Sequence, residues 1–268
     1  MANPSSEIFR EPTLGWLDRF RPPAGRDAMA SALAAAKAGD YGTALAIWEP
    51  MAREGNARAQ NNIAACFSAG YGVDENPELA AKWLGLSAAS GDPVGQRNLA
   101  TLYFRGEGVA QDDDEAMRLY RLAADQGDAT AQDMLSWMLA ERGDYEGARL
   151  LAEQAAAQGI AASMTRLGNL YHDALGVERD PHRAAGWWRK AAMMGDADGQ
   201  ARLGAAHLTG AGVVADPVAA LALLLRARDG GSKLAANFIP AANEILSPEQ
   251  RAAAARRASE PLALENMP

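Results

Sequence analysis

The sequence predicts an all-α fold in which about six antiparallel helix pairs stack and a last helix caps the end. Three observations carry this. Glycines recur at Gly55, Gly91, Gly127, Gly159, Gly195 and Gly231, spaced by 36, 36, 32, 36 and 36 residues. The eighth residue after each is Ile or Leu (Ile63, Leu99, Leu135, Leu167, Leu203, Ile239), and the eleventh before each is alanine (Ala44, Ala80, Ala116, Ala148, Ala184, Ala220). Finally, 49% of the residues are hydrophobic but only 6% aromatic, so small side chains build the core and let helices approach closely. A register of this period marks a repeat array, which presents a binding surface far more often than a catalytic centre.

Residues 1–25 form an irregular arm broken by Pro12 and Pro22-Pro23, with Leu14, Leu17 and Phe20 beside Trp16 on a short apolar turn. The arm suits a cap over the first helices, or a segment lying in a groove. Unit 26–55 opens with an Ala-rich helix from Arg26 to Lys37; Ala38-Gly39-Asp40 turns it, Asp40 caps a second helix, and Gly55 supplies the left-handed residue that closes it. In unit 56–91, Asn56 caps a first helix (A) whose Ala59, Ile63, Ala64 and Phe67 share a face. Gly70 and Gly72 break it, and Asn76-Pro77 opens the second helix (B), with proline where a missing N–H costs nothing.

Unit 92–127 repeats the scheme with Asp92, the turn Gly106-Glu107-Gly108-Val109, and Asp112. Unit 128–159 is four residues shorter, and Arg142-Gly143-Asp144-Tyr145 replaces the long turn, a change expected to alter the local twist. Units 160–195 and 196–231 return to the long form, with Asp180-Pro181, Trp187-Trp188, Asp196 and Asp216-Pro217. The cap, 232–258, holds Leu234, Phe238, Ile239 and Leu246, then Ser247-Pro248-Glu249 opening a final helix to about Ala258. Residues 259–268 read as a flexible tail.

A net charge of −8 argues against nucleic acid, which needs a basic face. The single cysteine, Cys66, cannot form an intramolecular disulfide; its position is filled by Leu102, Met138 and Leu170 in sister units, so a buried, inert thiol is expected. The N-terminal residues lack the long apolar core of a secretory signal, and no stretch approaches the ~20 apolar residues of a membrane span, which makes a soluble cytoplasmic protein the expectation. The Gly-x-Gly-Val turns join two helices with no strand before them, unlike dinucleotide loops. The run Asp112-Asp113-Asp114-Glu115 suits a helix N-terminus better than a metal site. His172, His182 and His207 have no His or Cys partner at ligand spacing, so no metal and no cofactor is expected.

These units resemble the Sel-one-like repeat (SLR) family, relatives of the tetratricopeptide repeat with a slightly longer unit. The resemblance rests on Leu167-Gly168 with Tyr171, Gly106-Glu107-Gly108-Val109, Asp180-Pro181 and Trp187-Trp188-Arg189-Lys190-Ala191-Ala192, and covers roughly residues 26–245. Against that pattern, Leu175 stands for the first glycine in Ala174-Leu175-Gly176-Val177, and unit 128–159 is closer to a plain tetratricopeptide hairpin. The resemblance implies a right-handed α/α superhelical solenoid with A helices lining the concave face, and the role of a non-enzymatic adaptor or scaffold. Some relatives are linked with β-lactam hydrolysis or binding, but those resemble cysteine-stapled secreted arrays, and no nucleophile with an adjacent base is legible here. A hydrolase and a self-assembling module are the alternatives, with a monomer favoured.

In that geometry the groove is lined by residues 3, 7, 10 and 14 positions after each closing glycine. They are Arg58 and Asn62; Asn98, Thr101 and Arg105; Met134, Trp137 and Glu141; Arg166, Asn169 and Asp173; Asp198 and Arg202. Amides can pair with the backbone of an extended peptide, guanidiniums with carboxylates, and Trp137 offers an anchor. Arg58, Arg105, Arg166 and Arg202 give the strip a basic bias, so the expected partner is a peptide or helix of another protein carrying acidic residues or a free C-terminus.

Overall fold

The computed structural model describes residues 28–262 and contains fourteen α-helices in that span. They are α1 (Ala28–Lys37), α2 (Tyr41–Arg53), α3 (Ala57–Ala69), α4 (Pro77–Ala89), α5 (Pro93–Arg105), α6 (Asp113–Asp125), α7 (Ala129–Glu141), α8 (Tyr145–Ala157), α9 (Ala161–Asp173), α10 (Pro181–Met193), α11 (Ala197–Thr209), α12 (Pro217–Asp229), α13 (Ala235–Ile245) and α14 (Pro248–Ser259). The expected N-terminal arm and the end of the expected tail lie outside the described residues. The chain divides into two compact units, one through Ala131 and one from Gln132.

The expected caps form. Asp40, Asn56, Asn76, Asp92, Asp112, Asp144, Asp180, Asp196 and Asp216 each accept a backbone N–H of the first helical turn, and Ser247 forms a full capping box with Gln250. Each such cap contributes about 1 kcal/mol. Among the described residues, α9 and α13 start without one: Ile160 stands where Asp92 and Asp196 stand in sister units, and Leu234 precedes α13 without a side-chain cap bond.

The core lies between the paired helices, and the phased residues are its floor: Ala44, Ala80, Ala116, Ala148, Ala184 and Ala220 are all fully buried, as are Ile63, Leu167 and Leu203. A second glycine phase explains the Leu-Gly signal. A Cβ on Gly168 would lie 2.3 Å from Trp188 Nε1, and one on Gly204 would lie 2.9 Å from Leu224 Cγ, so glycine is what admits a large B-helix side chain. The second glycine of the long turns rests on the preceding B helix. A Cβ on Gly108 would lie 2.2 Å from the Pro77 carbonyl oxygen and one on Gly212 2.0 Å from that of Pro181, at φ of +69° and +73°.

The residue that stands for the first glycine of the fifth pair's long turn is Ala174, not Leu175 as expected from the sequence. Gly70, Gly106 and Gly210 end their A helices in the left-handed region, and the residue that does so in the fifth pair is Ala174, at φ +58°. Leu175 matches Tyr71 and Glu107, the free middle position of the turn.

Successive pairs are joined by polar contacts that hydropathy does not reveal. Buried Gln60, Gln96 and Gln200 donate to the carbonyls of Ala52, Ala88 and Ala192, eight residues upstream in the preceding B helix. The residue after each of these reaches the cap of the next A helix in two cases: Asn61 Nδ2 to Asp92 (2.8 Å) and Arg97 Nη1 to Asp128 (2.8 Å). Thr165 Oγ1 makes the corresponding bond to Asp196 at 2.7 Å. The short unit inverts the chemistry. Its Asp133 is an acceptor, and where the next cap would be stands Ile160; Ser163 Oγ (2.5 Å) and Arg166 Nη1 (2.7 Å) donate to Asp133 instead.

Candidate functional site

Three A helices of the second compact unit, α7, α9 and α11, together with the start of α8, border a cleft of about 610 Å³. It is lined by Trp137, Ala140 and Glu141 from α7, Tyr145 from α8, and Ala162, Thr165, Arg166, Asn169, Leu170 and Asp173 from α9; Leu175, Asp196 and Asp198 complete it. The α9 residues Ala162, Arg166, Asn169 and Asp173 are three or four apart, so one helical stripe forms a wall. The volume lies within the range of ligand sites.

Trp137, 37% exposed, is the large aromatic surface here. The short unit puts it on the A helix, while the B-helix position filled by Trp48, Leu84, Tyr120, Trp188 and Leu224 elsewhere is the buried Ala152. Asn169 is oriented from behind: Trp188 Nε1 donates to its Oδ1 at 3.1 Å, which leaves its amide protons to the cleft. Thr165 spends its hydroxyl proton on Asp196, which also accepts the Gly199 N–H at 2.6 Å. Asp198 accepts the Ser232 hydroxyl, and Asp173 lies 2.7 Å from His172 Nδ1. Among the described residues Glu141 has no hydrogen-bond or ion-pair partner.

Of the residues expected to line a groove, Trp137, Glu141, Arg166, Asn169, Asp173 and Asp198 come together here; Met134 and Arg202 are not among the lining residues. The expected basic bias is not what this cleft has. Arg166 is its one cation and is already paired with Asp133 at 2.7 Å, both side chains 16% exposed. In the first compact unit the expected residues are largely engaged internally. Asn98 donates to Asn61 and accepts from Arg97, Thr101 bonds the Arg97 carbonyl and Tyr120 OH, and Arg105 lies 3.6 Å from Glu107. Asn62 Nδ2 points to Met29 Sδ at 3.8 Å, while Arg58 is exposed.

Other titrating groups serve packing. Burial pushes the Cys66 thiol up to about 11, so it stays protonated and unreactive. His207 is 1% exposed, its Nδ1 lies 3.1 Å from the Val214 carbonyl oxygen, and burial holds its pKa below the usual histidine value. His182 Nδ1 meets the Gly212 carbonyl at 3.0 Å. Among the described residues no group of three or more His, Cys, Asp or Glu side chains is placed to hold a metal ion, and no helix is long and apolar enough to cross a membrane. Sequence reasoning missed Arg97, Asp133 and the buried glutamines, although a recurrence was there to see: Gln60, Gln96, Gln132 and Gln200 each stand five residues after a closing glycine.

Paired helices repeating with this phase, with a cleft bordered by successive A helices, define a tetratricopeptide-like α-solenoid repeat protein. The chain belongs to the Sel1 repeat family, whose repeat matches residues 57–92, 93–128, 131–160, 161–196 and 197–232. Among solved structures it is similar to a Sel1 repeat protein from Oxalobacter formigenes, with 25% identity, 89% of this chain and 99% of that one covered, and a TM-score of 0.78. It also matches c5321, a protective antigen with an SLR fold from uropathogenic Escherichia coli, at 25% identity over 81% of this chain and 63% of that one, TM-score 0.40. A third match, a Sel1 repeat protein from Klebsiella pneumoniae, has 20% identity over 73% of this chain and 97% of that one, TM-score 0.47. No curated protein matched.

Proposed function

We propose that this protein is a non-enzymatic adaptor that holds a segment of another protein in the cleft between α7, α9 and α11. Sel1 repeat solenoids are in general protein-interaction scaffolds. The observation that carries the reading is the cleft itself: an exposed indole, Trp137, beside the amide of Asn169, which is held by Trp188 with its donors free. Aromatic anchors in partly desolvated pockets dominate interface energies, and a fixed amide donor suits the carbonyls of an extended backbone. Two of the cleft's polar side chains are occupied in holding others, Thr165 on Asp196 and Arg166 on Asp133, which favours a rigid receiving surface over chemistry.

The test is capture from lysate of the source cell with two baits, wild type and Trp137→Ala, each also carrying a photo-crosslinking amino acid in place of the exposed, cleft-lining Ala162. The expected outcome is a protein crosslinked through position 162 by wild type and reduced at least about tenfold with Trp137→Ala, as loss of an anchor predicts. Equal capture by both baits would remove the cleft from consideration.

A further inference from the structure

We propose that the cleft selects cations: the segment it holds is basic, and a lysine or arginine of that segment lies against Trp137 with its charge between Glu141 and Asp173. This rests on the reading of the cleft as the partner site. The lining residues include four carboxylates, those of Glu141, Asp173, Asp196 and Asp198, against one guanidinium, that of Arg166. The guanidinium is already paired with Asp133 at 2.7 Å, so an acidic ligand would meet a charge that is largely compensated.

None of the four carboxylates, by contrast, is paired with a lysine or arginine among the described residues. Asp196 and Asp198 are bonded by neutral donors, a backbone N–H and two hydroxyls. Glu141 has no partner among the described residues, and Asp173 has only the neighbouring imidazole. An aromatic face next to such carboxylates attracts a cation twice, through the ring quadrupole and through Coulomb attraction, and Leu175 and the exposed Ala162 provide apolar surface for the methylene stem of a long basic side chain. A like-charged segment in the same place would meet repulsion with nothing to offset it.

A library of random dodecapeptides displayed on phage and panned against the full chain tests both readings. Peptides enriched in Lys and Arg are expected. Labelled versions, titrated by fluorescence anisotropy, should bind at least about tenfold more weakly to Glu141→Gln plus Asp173→Asn and to Trp137→Ala, and more weakly in high salt. Far-UV melts, run alongside, should show each variant folded at the temperature of the titration, with Glu141→Gln plus Asp173→Asn melting as wild type. Enrichment of Asp- and Glu-rich peptides whose binding is lost with Trp137→Ala would overturn the cationic assignment and leave the cleft as the site. Basic peptides indifferent to the double neutralisation would also overturn it. Peptides bound equally by Trp137→Ala, or no enrichment at all, would overturn the cleft reading together with it.

Discussion

Ala174 carries a side chain in a conformation that its sister positions give to glycine, at φ +58°. A left-handed L-residue costs about 1–2 kcal/mol, partly offset by the smaller unfolded-state entropy of alanine. Ala174→Gly is therefore expected to stabilise the fold by about 0.5–1 kcal/mol in a urea titration. Gly212→Ala should do the opposite, because its Cβ would enter the Pro181 carbonyl; a loss of about 2 kcal/mol or more, read by the same titration, is expected. His207 gives a pH dependence of known sign. Burial lowers its pKa, the Val214 carbonyl and Asp216 pull the other way, and Arg189 and Arg257 add to the lowering. The folded state thus keeps the ring neutral while the unfolded chain takes up a proton near the free-histidine value of about 6.5. The stability associated with His207 is complete above that pH and declines as pH falls through it. His207→Tyr, the residue of Tyr103 and Tyr171, should flatten the melting temperature between about pH 7 and 5 relative to wild type.

At the scale of the element, the cap-to-helix bonds explain why one aspartate is not like another. Asp128 both caps α7 and receives Arg97, so Asp128→Ala removes a cap and strands a half-buried guanidinium. A loss of about 2–3 kcal/mol is expected in thermal or chemical melts, against about 1 kcal/mol for Asp40→Ala, whose carboxylate only caps. Helix boundaries, caps and the alanine and leucine phases were legible because each follows from local chemistry: a short polar side chain before a helix, proline at its first position, glycine after its end. The stripe of Arg166, Asn169 and Asp173 was legible too, since helical spacing alone puts them on one face. What was not legible was which of these side chains are already engaged. The partner of Arg166 is Asp133, thirty-three residues away, and that of Thr101 is Tyr120, nineteen away. Periodicity orders faces but does not pair charges across neighbouring helices, so the cleft was expected to be basic when its one arginine is already paired.

Over the whole molecule, the formal charge of −8 and the acidity of the cleft point the same way. Long-range attraction would speed encounter with a basic partner, and that gain is screened by salt within about 8–10 Å. Association rates for a partner identified through Ala162 are expected to fall steeply with ionic strength while dissociation changes less, a difference that stopped-flow measurement resolves.

The inverted polarity of Asp133 sets a rule of succession for the repeats. A tandem copy of 92–127 would set Arg97 against a new Asp92, a donor against an acceptor, as Arg97 now meets Asp128. A tandem copy of 128–159 would instead set Asp133 against a new Asp128, carboxylate facing carboxylate. The units therefore behave like words with a syntax: some can follow themselves, and the short one can be followed only by a repeat that begins, as the fifth does, without an acid.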